Sequence, residues 1–283
     1  MSRVHGSRGH FKMSDVRRHG VIVGASSDIG LAIARDWIDR GIAVVGTYRK
    51  ESPQLFDLRS RLAGLSRCDF SDPDSIRCFT SDVAAHKFQW DYLVICPGTM
   101  EPIGLFTDVN IDAWCTSFEL NFLSTMRVVH SLLPLRACQN KPLVLLFSGA
   151  GTNSAPPSFS AYTVAKIALI KAIELLDVEL PDVRFTIIGP GWVRTKIHQE
   201  TLRSVDAVPE AASETTRRLE NNDFNPLSRV VQCVSWAMNA PKDVVGGRNF
   251  SVVHDDWGTA ALERQLRADV GAYKLRRARN RGS

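Results

Sequence analysis

The stretch VIVGASSDIGLAIARDWIDRG (21–41) decides the fold. Its first five residues are an apolar run that ends in small residues, as a buried strand does. Its second half sets Ile29, Ile33, Trp37 and Ile38 on one helix face, and Gly41 stands where a helix stops. Between them lies a turn, with Gly24 at its start and Gly30 in the first helical turn. Glycine lets the backbone turn tightly and lets an anion approach with no Cβ in the way. A helix N-terminus adds free N–H groups and a partial positive charge. Ser26 and Ser27 can donate hydroxyl hydrogen bonds. The order strand, glycine turn, helix predicts a pyrophosphate site on Gly24, Ser26, Ser27, Asp28, Ile29 and Gly30, and so a dinucleotide.

The rest of the chain repeats this alternation. Further strands are expected at IAVVGTY (42–48), more weakly at Ser66–Phe70, and at YLVIC (92–96), LVLLF (143–147), RFTII (184–188) and NFSVV (249–253). Helices are expected from Pro73, capped by Asp72, to about His86, and over 111–136, 160–180 and 227–240. The polar, Arg/Glu-rich stretch 197–225 is expected to be helical, though its periodicity is weak. Near-continuous apolar strands between helices predict an α/β fold: a single-domain Rossmann fold, a doubly wound parallel seven-stranded sheet with helices on both faces. Such sheets bind ligands at the carboxyl ends of their strands, beside the switch in strand order. The expected organisation is a basic N-terminal extension (1–17), the sheet domain (18–256), and a C-terminal helix with a basic tail (257–283).

The second strand ends GTYRKES, so Arg49 and Lys50 stand where an NAD site places a carboxylate. A carboxylate repels the 2′-phosphate of NADP, whereas Arg binds it through two parallel bonds. NADP (NADPH) is therefore the expected cofactor, with Arg49 ahead of Lys50 and NAD the second choice.

The chain of 283 residues is 44% hydrophobic and 23% charged, enough to bury a sizeable core. No apolar run approaches the ~18 residues of a membrane helix, and the first 20 residues carry no apolar core of a secretory signal. The net charge is +5, but residues 1–20 hold five basic residues and one acid, and residues 271–283 hold five basic residues and no acid. The body between them is net −4, so the basic excess does not predict a nucleic-acid partner. Six cysteines (Cys68, Cys78, Cys96, Cys115, Cys138 and Cys233) form no CxxC pair. They predict buried, reduced thiols in a cytoplasmic protein and no metal site.

SFSAYTVAKIALIK (158–171) places Tyr162 four residues before Lys166. Alone, the pair reads equally as chemistry or as a wet helix face. In company it reads otherwise, and the chain resembles the short-chain dehydrogenase/reductase family over about residues 18–255. GASSDIG looks like the cofactor glycine motif, with Asp28 where a middle glycine is usual. CDFSD is similar to the segment whose aspartate, here Asp69, touches adenine. Asn121 in FELNFLSTM matches the Asn of the fourth long helix. Tyr162 and Lys166 match the YxxxK pair. PGWVRT resembles the turn over the nicotinamide, here Pro190, Gly191, Val193 and Thr195. There are departures: the usual NNAG loop is ICPG (95–98), keeping only Gly98, and the position thirteen before the tyrosine, where the family's serine most often stands, is Gly149. Ser148 is the expected active-site hydroxyl, with Thr152, Ser154 and Ser160 as substitutes.

The resemblance implies an oxidoreductase interconverting a ketone and a secondary alcohol. Hydride transfer leaves negative charge on oxygen, so a proton must arrive with the hydride. A lysine one helical turn away favours a tyrosine's phenolate and lowers its pKa from ~10. Tyr162 is then the expected acid–base residue, Lys166 its tuner and ribose contact, and Ser148 the carbonyl's partner. Asn121 is the holder of a relay water, or simply a polar residue that bends its helix. His130, His198 and His254 are read as structural. The 197–225 stretch, rich in Arg, Glu and Thr, suits a small polar substrate such as a sugar, or the ketone of a sugar-phosphate or nucleotide-sugar. Two readings are open for the C-terminal segment: Trp257, Tyr273, Lys274, Arg276 and Arg277 fold across the site and hold a phosphate, or the segment is an oligomer contact or a loose tail. A homodimer or homotetramer through the helices at 111–136 and 160–180 is implied. The competing reading is a non-catalytic NADP-binding sensor that serves a protein partner.

Overall fold

The computed structural model describes residues 18–149, 151 and 153–276; the expected N-terminal extension, Thr152 and Arg277 lie outside them. Strand β1 (His19–Val23) leads through the glycine turn into helix α1 (Asp28–Asp39), then β2 (Ala43–Tyr48). The short α2 (Pro53–Phe56) follows, then β3 (Gly64–Arg67), α3 (Pro73–Ala85) and β4 (Tyr92–Ile95). Helices α4 (Ile111–Phe118) and α5 (Ser124–Leu132) flank one wider, π-type turn at Glu119–Leu123. After β5 (Leu143–Phe147) come α6 (Ser160–Glu179), β6 (Arg184–Gly189), α7 (His198–Arg203), α8 (Pro209–Asn221) and α9 (Leu227–Asn239). The described chain closes with α10 (Lys242–Val245), β7 (Arg248–Ser251) and α11 (Ala260–Ala268).

The strands lie in the order β3-β2-β1-β4-β5-β6-β7, every pair parallel. The chain winds outward from β1 to β3, then returns to place β4 on the other side of β1. That reversal opens a crevice at the carboxyl ends of β1 and β4. Alternate strand residues feed two cores. Ile22, Val44, Val94, Leu145 and Phe250 pack against Ile33 and Trp37 of α1, Val230 and Val234 of α9, and Leu266 of α11. Val21, Leu93, Val144, Leu146 and Phe185 pack against Phe79 of α3, Val128 and Leu132 of α5, and Ile173 of α6. A side chain of this size contributes about 1.5–3 kcal/mol when fully buried. The two cores hold the strand ends that carry the site.

Several boundaries differ from expectation. The third strand ends at Arg67 rather than Phe70: Asp69 makes a turn with Ser71, and Phe70 is buried beyond the strand. The single helix expected over 111–136 is interrupted at Asn121 and ends in a short turn at Leu133–Leu135. Three of the six cysteines, Cys78, Cys115 and Cys138, are exposed and only Cys68 and Cys233 are fully buried. Cys78 and Cys115 sit on helix faces turned from the sheet. No described helix is long and apolar enough to cross a membrane.

Candidate active site

Gly24 ends β1 with φ +78°, a conformation that favours glycine. Its N–H donates to Thr47 Oγ1 (2.9 Å), and its carbonyl accepts from Ser27 N (2.9 Å), closing the turn. A Cβ on Gly30 would lie 2.3 Å from that carbonyl, so residue 30 must be glycine for α1 to start here. Ser27 Oγ accepts from Gly30 N (3.1 Å) and caps α1, an N-cap role in place of a free phosphate donor. Gly24, Ser26, Ser27, Asp28 and Ile29 line a cleft with Arg49 and Lys50 at the end of β2. The cleft extends past Gly98 to Pro190, Gly191, Val193 and Thr195, and its volume is about 1980 Å³. That exceeds the roughly 300–1,000 Å³ of a pocket for one small ligand, leaving room for a dinucleotide and a substrate. The glycine turn open to the cleft at the N-terminus of α1, with Arg49 and Lys50 at the end of β2, fits a nicotinamide dinucleotide.

Two expected contacts lie elsewhere. Asp69 does not line the cleft: its Oδ1 accepts from Ser71 N (3.0 Å) and Ser71 Oγ (2.7 Å). Burial pushes its carboxyl up, but the Ser71 bonds and the charges of Arg49 and Arg67 outweigh this and hold it below the usual range. Gly30 is buried behind the turn.

Helix α6 brings Tyr162 and Lys166 to the cleft floor, 8% and 5% exposed, which removes the wet-face reading. Lys166 Nζ lies 5.6 Å from the Tyr162 ring centroid and donates to Phe147 O at 3.0 Å. Burial lowers Lys166 to about 8. Burial also raises the Tyr162 hydroxyl above its ordinary value, and the charge of Glu200 raises it further. This is opposite to the direction expected from the YxxxK spacing. Both groups are buried together, and burial disfavours the charged form of each.

Ser148 follows β5 on the sheet face that α6 covers. Its Oγ donates to Asn249 Oδ1 (3.1 Å), beside Gly189. A Cβ on Gly149 would lie 2.3 Å from the Tyr162 hydroxyl. No side chain fits at 149 with Tyr162 in this place, and Ser148, one residue earlier, lines the cleft. Ser154 also lines the cleft, whereas Ser160 Oγ accepts from Trp114 Nε1 (3.0 Å) at the start of α6. Asn121 is fully buried in the π-type turn. Its Nδ2 donates to Thr99 O (2.9 Å) and Ser117 O (3.0 Å), and its Oδ1 accepts from Thr99 N (3.1 Å). The amide fixes the loop after β4 and does not itself reach the cleft.

The other wall is assembled from distant segments. Lys196 N donates to Asp28 Oδ2 (3.0 Å), tying the segment after β6 to the glycine turn. Trp192 stacks on His198 (4.8 Å, 3°) with the Arg218 guanidinium 4.7 Å from its ring. His198 Nε2 also meets Val193 O at 2.8 Å, and burial lowers its pKa; His198 and His254 both line the cleft. Glu200 of α7 accepts from Met100 N (2.6 Å) and Thr99 Oγ1 (3.1 Å). The C-terminal segment adds Tyr273, Lys274 and Leu275 to the lining, and Tyr273 O accepts from Asn249 N (2.9 Å). Arg276 is taken up by Glu174 (2.6 Å), and Trp257 Nε1 donates to Val252 O (3.2 Å), so neither serves the cleft as expected. Sequence reasoning missed Glu200, Asn249 and Thr99. No local pattern marks them, since each acts through a partner about a hundred residues away.

Comparison with known proteins agrees with this geometry. The family model described as enoyl-(acyl carrier protein) reductase matches residues 24–231. An uncharacterised oxidoreductase of Schizosaccharomyces pombe is 27% identical over 83% of this chain and 91% of its own. The 11-beta-hydroxysteroid dehydrogenase 1A of Arabidopsis thaliana is 28% identical over 63% of this chain, which spans only 53% of that relative. The crystal structure of the KRED1-Pglu enzyme superposes with a TM-score of 0.73 at 25% identity, covering 82% of this chain and 99% of that one. Actinorhodin polyketide ketoreductase with NADPH superposes at 0.71 with 20% identity, over 83% and 95%, and shares the fold. With the glycine turn, the buried tyrosine–lysine pair and these matches in place, the chain belongs to the short-chain dehydrogenase/reductase family and is an oxidoreductase of that NAD(P)-dependent type.

Proposed function

We propose that the protein uses NADPH to reduce the ketone of a small polar substrate to a secondary alcohol. The observation that carries this reading is Tyr162, buried beside Lys166 at the floor of a cleft whose other end is the glycine turn. A bound nicotinamide dinucleotide supplies the hydride. Tyr162, whose hydroxyl burial and the charge of Glu200 keep protonated, is the acid that would give its proton to the carbonyl oxygen. Such proton transfer is worth about 10²–10⁴-fold in rate. Lys166 holds its place through Phe147 O and orients the ribose. Ser148, held by Asn249, is the group we assign to the carbonyl oxygen. Asn121 supports this centre through Thr99.

Arg49 and Lys50 support the choice of NADPH, because they line the end of the cleft where a 2′-phosphate would lie. Asn153, Ser154, Arg203 and Lys274 in the lining support a polar substrate of the sugar or nucleotide-sugar kind. Exposed apolar residues on the α4–α6 faces, among them Ile111, Leu123, Val164 and Val178, support a homodimer or homotetramer. Exposed free thiols suit a reducing compartment such as the cytoplasm. The test is a titration with NADPH and NADH, following energy transfer from tryptophan. NADPH should bind at least tenfold more tightly, and Arg49→Ala should erase that margin while leaving NADH affinity unchanged. Preference for NADH would overturn the assignment of Arg49.

A further inference from the structure

Glu200 lies on the short helix α7, in the substrate half of the cleft. Two groups of the loop after β4 fix its carboxylate, Met100 N at 2.6 Å and Thr99 Oγ1 at 3.1 Å. Asn121 in turn anchors that loop. The carboxylate is therefore held as firmly as the active-site frame. Among the described residues no cation pairs with it. The arginine of the same helix, Arg203, faces Glu101 instead (3.6 Å). Burial raises the Glu200 carboxyl, and the bonds from Met100 N and Thr99 Oγ1 partly offset this. Glu200 lines the same cleft as Tyr162, and Gly98, next to Thr99, packs on Lys166, where an added Cβ would lie 3.5 Å from Nζ. A carboxylate with no cation partner among the described residues thus lines the cleft that holds the tyrosine–lysine pair.

We propose that Glu200 is a specificity-determining residue: the site takes a carbonyl compound whose reacting end is uncharged, and rejects one with a carboxylate or phosphate next to the carbonyl. Two like charges held in one partly buried cleft repel more strongly than they do in water. On the order of thirtyfold discrimination is expected after allowing for partial solvent screening. A substrate with an anionic group must carry it several bonds from the carbonyl. Hydroxyl-rich neutral ends are accepted, because a hydroxyl can donate to a carboxylate. The inference rests on the carbonyl-reductase reading above.

The experiment compares an α-keto ester with its α-keto acid, ethyl pyruvate against pyruvate, at saturating NADPH. The wild type should reduce the ester with a kcat/KM at least thirtyfold higher, the difference lying mainly in KM. Glu200→Gln keeps an acceptor for Met100 N and removes the charge. It should bring the ratio within about threefold by raising activity on the acid, with the melting temperature unchanged or higher. A wild-type ratio near one overturns the proposal without need of any variant, and so does a Glu200→Gln enzyme with the wild-type ratio. If the wild type binds NADPH yet reduces neither compound, nor any neutral α-hydroxyketone, the reductase reading falls and takes this inference with it.

Discussion

The two ends of the cleft are built by different means. The glycine-turn end is made of backbone and of contacts short in sequence, such as Ser27 to Gly30 and Ser27 to Gly24. It stands on the central strands β1, β2 and β4. The substrate end is made of side chains reaching over long distances in sequence: Glu200 to Met100, Ser148 to Asn249, and Lys196 to Asp28. A backbone cradle serves one ligand whose shape does not change. A wall of cross-linked side chains can be rewritten one residue at a time with little cost to the sheet. This fits a fold that takes different ligands by changing side chains around a fixed frame.

The sharpest way to separate the two ends is Tyr162→Phe. Turnover should fall about 10³-fold or more, and NADPH affinity should stay within about threefold. Fluorescence titration alongside steady-state rates checks this, and near-normal turnover would remove Tyr162 from the chemistry. Gly149→Ala tests the boundary between the ends. Its Cβ would lie 2.3 Å from the Tyr162 hydroxyl, and a displacement of about 1 Å costs on the order of 10² in rate. The expected result is a kcat about a hundredfold lower with NADPH affinity retained; an unchanged kcat would mean that the tyrosine is placed otherwise.

The pH profile of reduction probes the shared floor. Burial lowers Lys166 from 10.5 to about 8, so its ammonium is lost as pH rises through about 8. The kcat/KM should then fall about tenfold per unit above that point, and Lys166→Arg should remove this limb if the variant retains activity. In stability the sign is reversed. The unfolded lysine binds its proton more tightly than the folded one, so the depressed pKa costs stability below about 8, and stability rises with pH between about 8 and 10.5. An alkaline limb near 10 would show that Lys166 titrates as an exposed lysine. The smallest effect is expected from deleting residues 272–283, which takes Tyr273, Lys274 and Leu275 from the lining. Substrate KM should rise three- to tenfold with NADPH affinity unchanged, and an unchanged KM would end the segment's role at the site.

The glycine turn, the tyrosine–lysine pair and the parallel sheet were legible in the chain because each is a local rule. Period and small residues mark the strands. The turn needs Gly24 and Gly30 for steric reasons that any context imposes. Tyr162 and Lys166 meet because four residues make about one helical turn. Helix α2 was not expected, although Ser52 caps its start and Pro53 follows. The interruption at Asn121 was open in the chain only as a polar residue that bends its helix; the folded chain adds the bonds of its amide to Thr99 across the helix–loop contact.

What lay beyond reach of the linear chain was charge in context. The YxxxK spacing points to a lowered tyrosine pKa, but the fold buries both side chains, and burial outweighs their attraction. A stretch rich in Arg and Glu does not reveal which carboxylate will lack a cation. Folding pairs Arg217 and Arg218 with Glu214, sets Arg203 against Glu101, and leaves Glu200 among backbone and hydroxyl donors in the cleft that Tyr162 also lines. The order of residues settles the fold and the cofactor's cradle, because backbone geometry is local. Burial and pairing settle the substrate's wall, because electrostatic energy depends on neighbours that only the folded chain supplies.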